Sequence, residues 1–290
     1  MIELPQTFLA MPRWWSEGEE WLAGLPAAVD SQCELWGLEV DGPVSHGSNA
    51  IAVPVTRAGE PLVLRMTPPD ASVADEVRAL RWWDRRGTVR LHEVDLPRGA
   101  MLLERLGGSL RDEPVGEAMA VLGQLMRRLA VPAPSDVPST ATMVRHRAAE
   151  LEADWQRLGQ PFESALLSEA LKIAPQLAEA TSTLTANGDF HSEQVLRGTR
   201  EPWLVVDPVL YQGDPDCDLA RMIWTRVDEM ADDAEIRQHF TTLVRAAELD
   251  PERARNWVVF RTVDYWLWGL GAGLTEDPER CRRILGAFTN

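Results

Sequence analysis

Lysine is almost missing from this chain: Lys172 is the only one, and every other basic side chain is arginine. Tyrosine is scarce, at Tyr211 and Tyr265, and there are three cysteines, Cys33, Cys217 and Cys281. An odd cysteine count without metal-like spacing argues against a disulfide framework or a zinc site. No apolar run is long enough to span a bilayer, so no membrane partner is expected. Residues 1–10 lack the basic start and apolar stretch of a secretory signal, which gives a cytoplasmic expectation. There is no basic run either. With a formal net charge of −16, the chain is a poor match for a nucleic-acid-binding domain. Such an acidic field can raise the local concentration of a cationic ligand, or it can simply serve solubility.

The 290 residues allow one large or two-lobed domain. Helical spacing over 16–36 predicts an opening helix. Short alternating or β-branched segments follow at 38–40, 50–55 and 61–66, separated by turn residues. A helix is expected over 72–85, then strands at 88–92 and 100–104. Beyond Leu106 the period is helical, with helices expected over 113–130, 140–158 and 162–180 and four more starting near Pro215, Asp233, Pro251 and Asp277. Two short strands are expected at 194–196 and 203–206. Strands first and helices after predict an α+β fold of two lobes, a small β-rich one over 1–106 and a larger helical one over 107–290, with Gly107 and Gly108 at the boundary.

The stretch Asn187-Gly-Asp-Phe-His-Ser-Glu-Gln-Val-Leu196 carries most of the chemistry. Read as a sequence, Asp189 sits in a loop just after a helix, and Asp207 ends the apolar run Trp203-Leu-Val-Val. Two acids on neighbouring loops can divide the work of phosphoryl transfer. One accepts the proton of an attacking hydroxyl and the other holds Mg²⁺ against nucleotide phosphates. An isolated loop Asp is more often a turn-former or a cap. Asp214, just before the helix near Pro215, reads as such a cap.

These motifs resemble the aminoglycoside phosphotransferase family. The catalytic loop there has the form His-Gly-Asp-Leu-His, two variable residues, then Asn-Val-Leu. Val206-Asp-Pro208 and Gly213-Asp-Pro-Asp-Cys-Asp-Leu219 resemble the segments that follow it. Trp21-Leu-Ala-Gly-Leu-Pro26, Leu102-Leu-Glu-Arg-Leu106 and Arg200-Glu-Pro-Trp-Leu204 are similar to the aminoglycoside and hydroxyurea resistance kinase branch, which includes streptomycin 6-kinases. The resemblance implies a protein-kinase-like fold that uses ATP or GTP with Mg²⁺ to phosphorylate a hydroxyl of a small, aminoglycoside-like acceptor, possessing cationic groups.

On the same resemblance Asp189 would be the base, His191 a brace of the catalytic loop, Gln194 and Asp207 the metal ligands, and Asp218 the anchor of the loop's backbone. Arg65 would reach the nucleotide phosphates with Glu76 as its acidic partner. Ser45, Gly47 and Ser48 would belong to the loop over the phosphates, where a plain hairpin turn is the competing reading. Glu104 would lie in the hinge beside the base, and Asp264, Tyr265 and Trp268 on the acceptor side. The chain departs from the family pattern at Arg65 (for Lys), Gln194 (for Asn) and Asn187 (for His). Those changes leave two rivals to an antibiotic kinase: a kinase-fold binding module that no longer transfers, and a sugar kinase of biosynthesis or metabolism.

Overall fold

The computed structural model describes residues 2–11, 18–179 and 182–289. The Trp14–Trp15 pair and the first residue of the expected opening helix, Ser16, lie outside them. Two compact units divide the chain: Met1–Gly107 with Gly198–Leu204, and Gly108–Arg197 with Val205–Asn290.

The first unit begins with a short helix α1 (Gln6–Leu9) and the long α2 (Glu19–Trp36). Strands β1 (Glu39–Val40), β2 (Ser45–His46), β3 (Ile51–Arg57) and β4 (Glu60–Met66) precede α3 (Ala71–Trp83), and β5 (Leu91–Asp95) and β6 (Ala100–Glu104) follow it. The sheet runs β1-β3-β4-β6-β5, with β2 also on β3, and all its pairings are antiparallel. Period-two burial explains the register: Ile51, Val53 and Val55 on β3 and Leu62, Leu64 and Met66 on β4 all face one core. Leu25, Val29 and Cys33 of α2 and Phe8 of α1 complete it. The expected strand at 88–92 begins later, at Leu91, and carries a register irregularity between Leu91 and Glu93. Asp70 caps α3 by accepting the Ser72 N–H at 2.8 Å.

Helices dominate the second unit: α4 (Val115–Leu129), α5 (Thr140–Arg157) and α6 (Ser164–Ala178), then α7 (Leu219–Trp224), α8 (Asp233–Ala247), α9 (Pro251–Gly271) and α10 (Glu276–Thr289). Between α6 and α7 the chain forms the short strands β7 (Thr185–Asn187), β8 (Val195–Arg197), β9 (Trp203–Val205) and β10 (Leu210–Gln212). β7 pairs with β10, placing Asn187 opposite Leu210 and Ala186 opposite Tyr211. No helix among the described residues is long and apolar enough to cross a membrane.

Candidate active site

Asp189 follows a strand, β7, and not a helix as its sequence surroundings suggest. Gly188 makes the exit from that strand possible. A Cβ there would lie 2.3 Å from Cε2 of Tyr211, whose ring covers the turn. Asn187 secures the same turn. Its side-chain oxygen accepts the N–H of Val209 at 2.9 Å and that of Asp189 at 3.4 Å. From the other side Asp218 accepts the Phe190 N–H at 2.9 Å. Burial pushes the Asp218 carboxyl up to about 7, against the opposing pull of Arg261 and of that amide.

Two side chains hold the Asp189 carboxylate. Gln194 donates its amide N–H to one oxygen at 3.1 Å, and Arg221 donates Nε–H to the other at 2.9 Å. The loop winds through a 3-10 turn (Ser192–Gln194), closed by the Gln194 N–H on the His191 carbonyl at 3.1 Å. His191 is buried, with Nε2 3.8 Å from Asp189 and Nδ1 3.9 Å from Glu193. Burial lowers its pKa, while the carboxylates of Asp189, Glu193 and Asp207 oppose that shift.

Gln194 and Asp207 are joined through the backbone, since the Gln194 carbonyl accepts the N–H of Val206 at 2.8 Å. Asp207 leaves β9 with φ 53°, a left-handed conformation that is uncommon away from glycine and clusters at functional sites. The Gln194 Oε1 atom is buried and has no hydrogen-bond partner. A buried amide oxygen without a donor is costly unless something else engages it. Among the described residues no group of three His, Cys, Asp or Glu side chains is arranged to cage a metal. One carboxylate and one amide oxygen instead suit Mg²⁺, which keeps several waters and shares phosphate oxygens. The donor set thus fits that ion.

Arg65 and Glu76, in the first unit, form a buried ion pair at 2.7 Å. Ser45, Gly47 and Ser48 lie exposed along a β2–β3 hairpin, where the Gly47 N–H is engaged by the Ala50 carbonyl at 3.0 Å. The plain hairpin reading describes this loop. His46 gains a partner the sequence did not suggest, Thr7 Oγ1 at 2.7 Å. Glu104 is committed within its own unit: its carboxylate accepts the Arg90 N–H and an Arg200 N–H, each at 3.1 Å. Nothing in that geometry directs its side chain to a nucleotide.

Two expectations need correcting. Asp264 is not presented to a cationic ligand. It is 6% exposed, and its carboxylate already accepts from Arg147 at 2.6 Å and Arg261 at 3.1 Å. Asp214 stands at a helix start without capping it; it accepts instead from Arg253 Nε at 2.8 Å and Trp257 Nε1 at 2.9 Å. Tyr265 and Trp268 do meet, with rings stacked 5.1 Å apart, and Trp268 is 55% exposed. The Tyr265 hydroxyl donates to Asp277 at 3.2 Å, and burial above all pushes its pKa up to about 12. Sequence reasoning missed Arg221, which lies 32 residues after the carboxylate it holds. The one signal was its position a single helical turn beyond Asp218.

Solved structures with this architecture include an aminoglycoside phosphotransferase and a choline kinase. Aminoglycoside phosphotransferase APH(4)-Ia superposes with a TM-score of 0.63 at 19% identity, over 91% of this chain and 100% of its own. Choline kinase LicA from Streptococcus pneumoniae gives 0.64 at 11% identity, over 91% and 98%. The fold is therefore the two-lobed, protein-kinase-like one. A model of the aminoglycoside/hydroxyurea antibiotic resistance kinase family matches residues 35–273, and the chain belongs to that family of small-molecule phosphotransferases. A hydroxyurea phosphotransferase of Kitasatospora aureofaciens is 35% identical over 91% of this chain and 78% of its own length. A streptomycin 6-kinase of Streptomyces griseus is 34% identical over 89% and 87%.

Proposed function

We propose that this chain transfers the terminal phosphate of ATP or GTP, with Mg²⁺, to a hydroxyl of a small molecule, with Asp189 as the base. The observation that carries this reading is the loop itself. Asp189 is gripped by Gln194 and Arg221, while Gln194 keeps a buried oxygen without a protein partner. In the reaction, the acceptor oxygen bonds to the terminal phosphorus and its proton passes to Asp189. The bond from that phosphorus to the bridging oxygen breaks, and its electron pair leaves on the nucleoside diphosphate. Positioning and charge compensation do most of the work in such transfers.

Gln194 and Asp207 would hold the Mg²⁺, whose charge offsets that of the phosphates. His191 and Asp218 keep the loop in shape from below, through burial and through the Phe190 N–H. In the first unit, Arg65 keeps a cation available for phosphate. Its pairing with Glu76 fixes the guanidinium, and the planar fork suits phosphate oxygens as lysine's point charge does.

The relatives' names cover both an aminoglycoside and a hydroxyurea acceptor. A screen of both compound types, with each product read by mass spectrometry, tests the reading. A phosphorylated product that requires Mg²⁺ is expected. Nucleotide binding without transfer to any acceptor and without hydrolysis would instead favour the non-transferring binding module.

A further inference from the structure

The pair between Asp189 and Arg221 is too open to sustain itself. Its side chains are 39% and 29% exposed. An ion pair that open to water gains little on its own, because solvent screens the charges and holding a long side chain in one geometry costs rotamer entropy. A guanidinium can also turn any of five N–H groups to a carboxylate. Here it is the Nε–H that reaches Asp189, at 2.9 Å.

Trp224 accounts for that orientation. Arg221 and Trp224 are three residues apart on α7, a spacing that puts them on one helix face. The guanidinium carbon of Arg221 lies over the indole ring, 5.0 Å from its centre, and Tyr265 of α9 offers a second ring at 5.9 Å. Both distances fall within the reach of cation–π attraction, about 6 Å, and of the two ring types the indole attracts a cation more strongly. A guanidinium held over a ring face has its plane fixed, and with it the direction of the Nε–H.

Two other helices fix the Trp224 ring in turn. Tyr265 meets it edge-on at 5.0 Å and 72°, and the guanidinium carbon of Arg280, on α10, lies 5.3 Å from its centre. Tyr265 and Arg280 both bond to Asp277, at 3.2 and 3.3 Å. Helix α7 has only six residues, too few to hold its side chains by helical order alone, so these tertiary contacts set the ring. The indole N–H takes no part: Nε1 is buried and has no hydrogen-bond partner. A buried donor left unpaired is costly, so what this position gains from tryptophan is the face of the ring.

We propose that Trp224 is a positioning residue for the base: its ring orients the Arg221 guanidinium, and through it holds the Asp189 carboxylate. Gln194 ties one carboxylate oxygen and Arg221 the other, so losing the second hold leaves the carboxylate free to turn about the first. The proposal rests on the phosphotransferase reading above, in which Asp189 is the base.

The test compares wild type with Trp224→Leu and Trp224→Phe in two readouts. The first is solvent exchange of the Arg221 Nε–H, followed by NMR and assigned by its disappearance in Arg221→Lys. The second is steady-state transfer from MgATP to streptomycin or hydroxyurea, whichever wild type phosphorylates, expressed per folded protein. Trp224→Leu should speed the exchange by about tenfold or more. It should lower kcat by about tenfold to a hundredfold, the scale of a small displacement at a reacting group, with KM for nucleotide unchanged. Trp224→Phe keeps a ring and drops the unpaired N–H, and should recover most of both losses. Wild-type exchange and kcat in Trp224→Leu would overturn the proposal. So would a loss of kcat that Trp224→Phe shares in full, or one matched by a rise in nucleotide KM, since either marks a general disturbance of the fold. If wild type phosphorylates neither acceptor, the phosphotransferase reading falls. The exchange readout then decides alone whether Trp224 keeps Arg221 on Asp189, and unchanged exchange in Trp224→Leu overturns it.

Discussion

Replacing Gly188 with alanine should injure both the fold and the reaction, for a reason that is purely steric. Gly188 does not have a positive φ, so its backbone would accept alanine. The obstacle is Tyr211: the new Cβ would lie 2.3 Å from Cε2 and 2.6 Å from Cδ2 of its ring. Ordinary contact between carbons is about 3.5–4.0 Å, so ring and turn must part by roughly 1 Å. Tyr211 sits on β10, paired with the β7 strand that delivers Asp189, so the strain falls on the base. Overpacking of this kind costs about 1–3 kcal/mol of stability. A displacement of about 1 Å at a reacting group can cost about a hundredfold in rate. Urea denaturation and steady-state kinetics of Gly188→Ala would measure both. The companion change Tyr211→Leu, which removes the colliding ring, should restore part of the loss. Wild-type stability and turnover in Gly188→Ala would refute the reasoning.

Asp207→Gly separates a functional carboxylate from a structural one. Glycine suits φ 53°, so the melting temperature should hold or rise, while turnover falls by about two to three orders of magnitude, the usual scale for losing one electrostatic contact to the transition state. Near-normal turnover would remove Asp207 from the metal site. The buried carboxyls of Asp216 and Asp218 both titrate near 7, against 3.8 for the free group, with burial the leading cause. Between about pH 4 and 7 the folded chain therefore keeps protons that the unfolded chain has lost. Their contribution to stability is full at low pH and declines as pH rises through 7. Asp218→Asn, whose amide oxygen can still accept the Phe190 N–H, should flatten that decline in thermal melts at pH 5 and pH 8; an unchanged slope would count against the assignment.

Much of this was legible in the sequence because local patterns encode it. Strands β3 and β4 follow from alternation, and helices α5, α8 and α9 begin within a residue of where their signals put them. The candidate loop was legible for another reason, the spacing of Asp189, Gln194 and Asp207 in a motif. What escaped depends on distant partners. Strands β7 and β10 have three residues each, too few for a period to register, and their pairing sets the turn before Asp189. Asn187 read only as a departure from a pattern, yet it ties two amides of the turn. Asp264 looked available to a ligand because one of its two partners, Arg147, lies 117 residues away. Arg221 was silent for the same reason: the carboxylate it holds lies 32 residues before it.

The central claim is that Asp189 accepts the acceptor's proton during phosphate transfer. Its most direct test is the turnover of Asp189→Asn beside wild type, with Mg²⁺, nucleotide and an acceptor that wild type phosphorylates, product being read by mass spectrometry. Nucleotide affinity and the melting curve are taken on the same samples. Asparagine keeps the size of the side chain and one oxygen for its neighbours while removing the basic group. Turnover should fall by about two to four orders of magnitude, with nucleotide affinity and folding close to wild type. An Asp189→Asn protein that folds, binds nucleotide and phosphorylates the acceptor at the wild-type rate would contradict the account.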